Sequence, residues 1–343
     1  MKKAFLFSAL MLPFCMMAQI GGANFEFLNQ VTDARSLSLG GMPMLAWDHD
    51  ASKGIWNPAL LNEEMNANAG ANILNFLSNA TLSSVYYVKN YEDVGTFALS
   101  MQTADYGKMD GYDISGNGTG EFIPYEMSLN LGASRKLNER FHVGAQMKMV
   151  YSTLQSYKAS ALFFDFSSVY TNESERLLMS LIVRNVGGIL SNYTSESTTD
   201  IPLEVHFSLS HKLEHMPMRW LLNIEQLQDP DLTYDDPRLL EVNSIDNTVT
   251  KDEFSFSDKV LRHVTAGAEL LLSKNLHFRF GYNYRLRQEL GLKDFKTGVG
   301  LSWGFSMRLS KFKLQYGRAT YHVAGALNSF SIAMNVNDFK KKL

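Results

Sequence analysis

Cysteine is nearly missing from this sequence: its single example, Cys15, lies within the first apolar run. That run, residues 4–17, follows Met1-Lys2-Lys3 and ends in Ala18-Gln19, the layout of a charged leader, a short apolar core and a small-residue cleavage site. Residues 1–18 are therefore expected to be a cleaved signal peptide. Their removal takes away the only thiol, and with it any disulfide, thiolate nucleophile or cysteine-based metal site. Lipid modification of Cys15 is disfavoured because Pro13-Phe14 stand where small residues are required. An uncleaved anchor helix needs about 20 apolar residues, and Gln19, Gly21, Gly22 and Asn24 end the run too early.

Other absences narrow the class further. No later stretch is apolar enough for a membrane helix; residues 177–186 come nearest and contain Arg184. Positive charge is not in surplus, since 32 Lys+Arg face 35 Asp+Glu. Loss of Lys2 and Lys3 takes the net charge from −3 to about −5 in a mature chain of 343 − 18 = 325 residues. That balance argues against nucleic acid, whose binding rests on neutralised phosphates. No linker or composition break divides the chain, so one large domain is the simpler reading.

What the sequence has in abundance is period two, the mark of a strand with two unlike faces. Phe141, Val143, Ala145, Met147, Met149 and Tyr151 alternate with His142, Gly144, Gln146, Lys148, Val150 and Ser152. Leu276, Phe278, Phe280, Tyr282 and Tyr284 alternate with His277, Arg279, Gly281, Asn283 and Arg285. Val299, Leu301, Trp303, Phe305, Met307 and Leu309 form a third such face, and Phe330, Ile332, Met334 and Val336 a fourth. Turn residues as punctuation mark fourteen strands: 67–77, 80–90, 93–104, 122–136, 140–153, 158–171, 176–187, 201–213, 218–228, 260–273, 276–288, 294–308, 312–322 and 325–337.

The connections supply a separate regularity. Counted in order, the long ones, 105–121, 188–200 and 229–259, are all odd-numbered, while every even-numbered one is short. Long loops on one side and short turns on the other are the asymmetry of an outer-membrane barrel, extracellular and periplasmic respectively, and an even strand count returns both termini to the periplasmic side. The expected fold is an all-β, 14-stranded antiparallel transmembrane β-barrel over residues 67–339. Residues 19–66 do not alternate, and a barrel of this size has room for them as a hatch or plug in its lumen.

Motifs for catalysis are few. His211-Lys212-Leu213-Glu214-His215 spells an inverted zinc-peptidase pattern, but that chemistry needs both histidines on one helix face. Here alternating residues 203–209 lead into it and Pro217 follows, which predicts a tight turn. Gly116-Asn117-Gly118-Thr119-Gly120 lacks the Gly-Lys-Ser/Thr ending of a phosphate loop and is expected to be a mobile surface loop. The chain is not expected to be an enzyme, and no cofactor is expected. The loop 229–259 holds Asp229, Asp231, Asp235, Asp236, Glu241, Asp246, Asp252, Glu253 and Asp258 against Arg238, Lys251 and Lys259. Loops of this length are functional or disordered. Two roles are open to it, a solvated acidic loop that keeps the surface soluble and partner docking through Asp229, Asp231, Tyr234, Asp235, Asp236 and Arg238, with a calcium site at Asp229, Asp231, Asp235 and Asp236 as a weaker third.

The segment before the first strand reads Ala34-Arg35-Ser36-Leu37-Ser38-Leu39-Gly40-Gly41, then Trp47-Asp48-His49-Asp50, then Trp56-Asn57-Pro58-Ala59-Leu60-Leu61. It resembles the N-terminal hatch of FadL-type outer-membrane barrels, on Arg35, Gly40, Gly41, Trp56, Asn57 and Pro58. Phe25-Glu26-Phe27-Leu28-Asn29, Asp231-Leu232-Thr233-Tyr234-Asp235-Asp236-Pro237, Gly281-Tyr282-Asn283-Tyr284-Arg285, Arg287-Gln288-Glu289-Leu290 and Tyr316-Gly317-Arg318-Ala319-Thr320-Tyr321-His322 resemble the PorV/PorQ branch of that family. That branch belongs to the type IX secretion system of the Bacteroidetes. The resemblance implies an outer-membrane component of an attachment complex. Its implied task is anchoring a PorZ-like surface protein beside a PorU-like sortase and a PorV-like shuttle barrel, where cargo is joined to lipopolysaccharide. The alternative within the same family is a transporter of hydrophobic small molecules. One departure is the ending: the aromatic Phe339 is followed by a basic tail, residues 340–343.

Overall fold

The computed structural model describes residues 24–76, 79–194, 200–233, 241–242, 249–250, 254–291, 297–322 and 325–339; the expected signal peptide and basic tail lie outside them. Among the described residues eighteen strands occur: β1 (Asn68–Asn75), β2 (Thr81–Tyr91), β3 (Gly95–Asp105), β4 (Met109–Tyr112), β5 (Gly118–Phe122), β6 (Tyr125–Lys136), β7 (Phe141–Leu154), β8 (Tyr157–Thr171) and β9 (Leu177–Ser191) in the first half. The second half holds β10 (Glu204–Lys212), β11 (Met218–Ile224), β12 (Glu241–Val242), β13 (Val249–Thr250), β14 (Val264–Leu270), β15 (Leu276–Asn283), β16 (Leu301–Leu309), β17 (Phe312–His322) and β18 (Gly325–Asn335). Fourteen of them close a barrel, each antiparallel to its neighbours in chain order, and β4–β5 and β12–β13 are side hairpins. Closure is made by β1 on β18, in register from Asn68 opposite Asn335 to Asn75 opposite Asn328.

The two faces explain the alternation. Ile73, Leu99, Leu129, Leu131, Phe166, Leu301, Trp303 and Phe330 are each about half exposed on the outer wall, and Trp303, Tyr316 and Phe330 stack there at 5.6 and 5.1 Å. Leaving such side chains in water forfeits about 1.5–3 kcal/mol apiece, so this wall belongs against lipid. The inner wall carries Lys148, Arg184, Glu269 and Arg279, all fully buried. Among the described residues no helix is long and apolar enough to cross a membrane; crossing is by strands. At one end of the barrel the strands are joined by the short turns 92–94, 137–140, 172–176, 213–217, 271–275 and 310–311. The other end carries the longer connections.

The expected strands fail where capping side chains offered the backbone another conformation. Residues 260–262 are the end of α2 (Phe256–Arg262), started by Ser255 Oγ, which accepts the Asp258 N–H. Residues 284–288 turn into α3 (Tyr284–Leu290), capped by the Asn283 side chain on the Leu286 N–H, so Tyr284 leaves the outer face. Gly300, at φ +85, breaks the alternation before β16: Val299 is buried while Leu301 faces outward. Ile201–Leu203 and residues 225–228 lie outside the ladders. The glycine-rich run 116–120 is at the surface, where it closes the β4–β5 hairpin, with Asp113 Oδ1 accepting the N–H groups of Ser115 and Asn117.

Candidate functional site

Residues 24–67 are inside the barrel. Ala34 N–H donates to Ser331 Oγ on β18, Asn57 Nδ2 to Ser180 Oγ on β9, and Ala59 N–H to Ser167 Oγ on β8. Gln146 of β7 donates to the Ile55 carbonyl, Ser302 of β16 to the Ser38 carbonyl, and Thr32 pairs with Ser84 of β2. One short segment can touch strands all round a closed barrel only from within. Its local structure is a chain of capped turns: Asp33 caps α1 (Ala34–Leu37), Asp50 the 3-10 turn Ala51–Ile55, Asn57 the turn Pro58–Leu60, and Asn62 the turn Glu63–Met65. Capping suits a segment too short to hold helices by propagation.

The inner wall is shaped for this segment. A Cβ on Gly144 of β7 would sit 2.3 Å from the Ala59 nitrogen and 2.4 Å from the Pro58 carbonyl carbon. On β15, a Cβ at Gly281 would sit 2.2 Å from the nitrogen of Gly40, which itself has φ +93. The segment's backbone therefore lies directly on the strand backbones.

Arg35 is the hub. Its guanidinium reaches Asp48 at 2.8 Å, Asp50 at 3.3 Å and Glu269 of β14 at 2.9 Å. Glu269 also takes Arg219 at 2.7 Å and Arg279 at 2.8 Å. Lys53 holds Asp48 at 2.7 Å, and Lys313 of β17 holds Asp50 at 2.8 Å. Burial opposes ionisation at Asp48, yet Arg35, then Lys53, Lys313 and Arg219, hold its carboxyl well below the usual carboxylate range. Asp50 is held low in the same way, against burial, by Lys313 and Arg35. A second group lies across the lumen: Lys148 on Asp165 at 2.6 Å, and Arg184 on Glu204 at 3.1 Å, on the Leu28 carbonyl, and 3.9 Å over the buried Trp56 ring.

All six residues of the hatch phrase, Arg35, Gly40, Gly41, Trp56, Asn57 and Pro58, thus lie in one buried segment, although only Arg35 joins the ion network. Glu269, Arg219, Arg279 and Lys313 escaped the sequence reading; their charge on the face opposite an apolar one was the available signal. Of the docking residues, Tyr234, Asp235, Asp236 and Arg238 lie outside the described residues. Asp229 accepts the Asp231 N–H, and Asp231 is occupied by Lys259 at 2.6 Å and by Thr233. His211 lies one residue before the end of β10, against Trp220, and Glu214 pairs with Arg176 at 2.7 Å, so the zinc-peptidase pattern is laid across a strand end and a turn.

No protein-family model and no curated relative matches the sequence. Among solved structures the chain is similar to a TodX deltaS2S3 mutant, a monoaromatic hydrocarbon channel, with TM-score 0.52, 11% identity, and coverage of 89% of this chain and 97% of that one. A TodX deltaS2 mutant channel gives TM-score 0.52 at 11% identity over 88% and 96%. A Pseudomonas aeruginosa FadL homologue gives 0.48 at 11% over 89% and 99%. At such identities the likeness is one of fold: a closed β-barrel. The two TodX variants are described as monoaromatic hydrocarbon channels.

Proposed function

We propose that this chain is an outer-membrane barrel that passes small hydrophobic molecules, with residues 24–67 as its gate and the long loops outside the cell. The observation that carries this reading is a continuous apolar cluster. It starts at the long-loop end with Phe76, Tyr106, Tyr193 and Tyr321, continues through Phe25, Phe27, Leu28 and Phe163, and reaches Trp56, Leu61, Met65 and Val88. Much of that path is filled by the inner segment's own side chains. Its displacement would leave an apolar lining, the surface a hydrocarbon solute prefers to water.

A second reading, an anchor for a surface partner of a type IX attachment complex, is favoured by how firmly the ion network fixes the segment. In that reading the loop with Asp229, Asp231, Tyr234, Asp235, Asp236 and Arg238 docks a PorZ-like protein. One experiment separates the two. Asn57→Cys with Ser180→Cys replaces the hydrogen bond between those residues by a reducible tether, in a mature chain with no other cysteine. Cells of a Gram-negative host carrying this variant are expected to take up a labelled monoaromatic hydrocarbon only after reduction. Equal uptake in oxidised and reduced states excludes the gate, and no uptake by the unmodified barrel excludes transport. Co-purification of a surface protein, lost on deletion of residues 229–258, would then support the anchor.

A further inference from the structure

Two adjoining cavities of 230 and 120 Å³ open at the short-turn end of the barrel, sharing His49, Asp50, Arg308 and Lys313 in their walls. The smaller is electropositive by pairing. Both of its carboxylates are engaged: Asp48 by Arg35 and Lys53, and Asp50 by Arg35 and Lys313. Two of its cations, Arg308 and Lys274, have no partner among the described residues. They are neighbours, because the Arg308 N–H donates to the Asn275 carbonyl at 2.9 Å. His277 and the Ser306 hydroxyl complete the wall.

Behind that wall the charge does not balance. Arg35, Lys53, Arg219, Arg279 and Lys313 face Asp48, Asp50 and Glu269, a surplus of 5 − 3 = +2. Arg308 and Lys274 raise it to +4, and counting the nearby Asp33, which caps α1, leaves +3. Arg279 is fully buried, its Nη2 donates to Ser306 Oγ at 2.9 Å, and its Nη1 finds no acceptor among the described residues. Uncompensated buried cations are costly, and a guanidinium fork beside an ammonium and a hydroxyl is the donor set that binds tetrahedral oxyanions.

We propose that the smaller cavity is an oxyanion site, taking a phosphate group in the fork of Arg308 with Lys274 and Ser306 as further donors. The larger cavity is the poorer host, because Glu64 and Asp338 line it and Lys311 is spent on the Asp338 carbonyl. The phosphate is either free or the headgroup of a lipid, and the same chemistry recognises both. The site is independent of whether the lumen conducts.

The test uses the full chain in detergent, titrated with inorganic phosphate in a calorimeter. Saturable binding is expected, weakened at least tenfold by Arg308→Gln and severalfold by Lys274→Gln. Lys108→Gln, in an exposed pair with Glu121, is expected to change nothing. Each variant must keep the parent's unfolding midpoint. Competition by a short-chain phosphatidylglycerol assigns the site to a lipid headgroup, and its failure to compete assigns it to the free anion. Absence of saturable binding, or equal binding by Arg308→Gln, overturns the proposal.

Discussion

Glu269 and Arg35 are both fully buried, but their environments are not symmetrical. Removing the charge of Arg35 leaves each of its three carboxylates another cation: Lys53 for Asp48, Lys313 for Asp50, and Arg219 with Arg279 for Glu269. Removing the charge of Glu269 leaves Arg35, Arg219 and Arg279 without their shared anion in a region already in cationic surplus. Breaking a buried ion pair costs about 3–5 kcal/mol. Arg35→Met is therefore expected near the lower end, about 3 kcal/mol, and Glu269→Gln near the upper, about 5 kcal/mol. Urea unfolding followed by tryptophan fluorescence gives the order directly. A milder effect for Glu269→Gln than for Arg35→Met would remove Glu269 from the centre of the network.

At the scale of elements, the contact between the turn Pro58–Leu60 and β7 sets how closely the inner segment seats. Gly144→Ala puts a methyl where the Pro58–Ala59 backbone already lies, so the turn must lift and the Asn57–Ser180 and Ala59–Ser167 hydrogen bonds lengthen. Gly188→Ala on β9 meets nothing within 4 Å and is expected within about 0.5 kcal/mol of the parent. Proteolysis should cut residues 24–67 faster in the first variant and at the parental rate in the second. Equal rates would show that the contact at Gly144 has slack. Strands were the legible elements because inner and outer walls impose opposite chemistry on alternate residues, so β7 can be traced from Phe141 to Tyr151 by pattern alone. α2 and α3 were not legible. Val260-Leu261 and Tyr282-Asn283-Tyr284 suit either period, and the deciding features were single caps, Ser255 and Asn283, together with the Tyr284 hydroxyl on Asp258 at 2.8 Å.

For the whole molecule, the sequence could announce an irregular segment and a closed sheet but not the network that joins them, because Arg35 and Glu269 are 234 residues apart and nothing local marks them as partners. That network has a pH signature. Asp48 and Asp50 have folded pKa values below their ordinary value of 3.8. A depressed carboxylate contributes stability that is fully present above its unfolded pKa and is lost as pH falls through the folded one. Asp33 has the opposite sign: burial pushes its carboxyl above 3.8, although Ser36 opposes this, so its protonation adds stability as pH falls from that raised value towards 3.8. Residues 24–67 should therefore stay docked from neutral pH down to about pH 4, with a slight gain on the way, and be released only below it. The strand ladders do not depend on these carboxylates and should hold the barrel closed throughout. Hydrogen–deuterium exchange from pH 7 to pH 2, normalised to intrinsic rates, separates the two populations of amides. Early loss of protection in residues 24–67, above pH 5, would mean that groups other than Asp48 and Asp50 keep the segment in place.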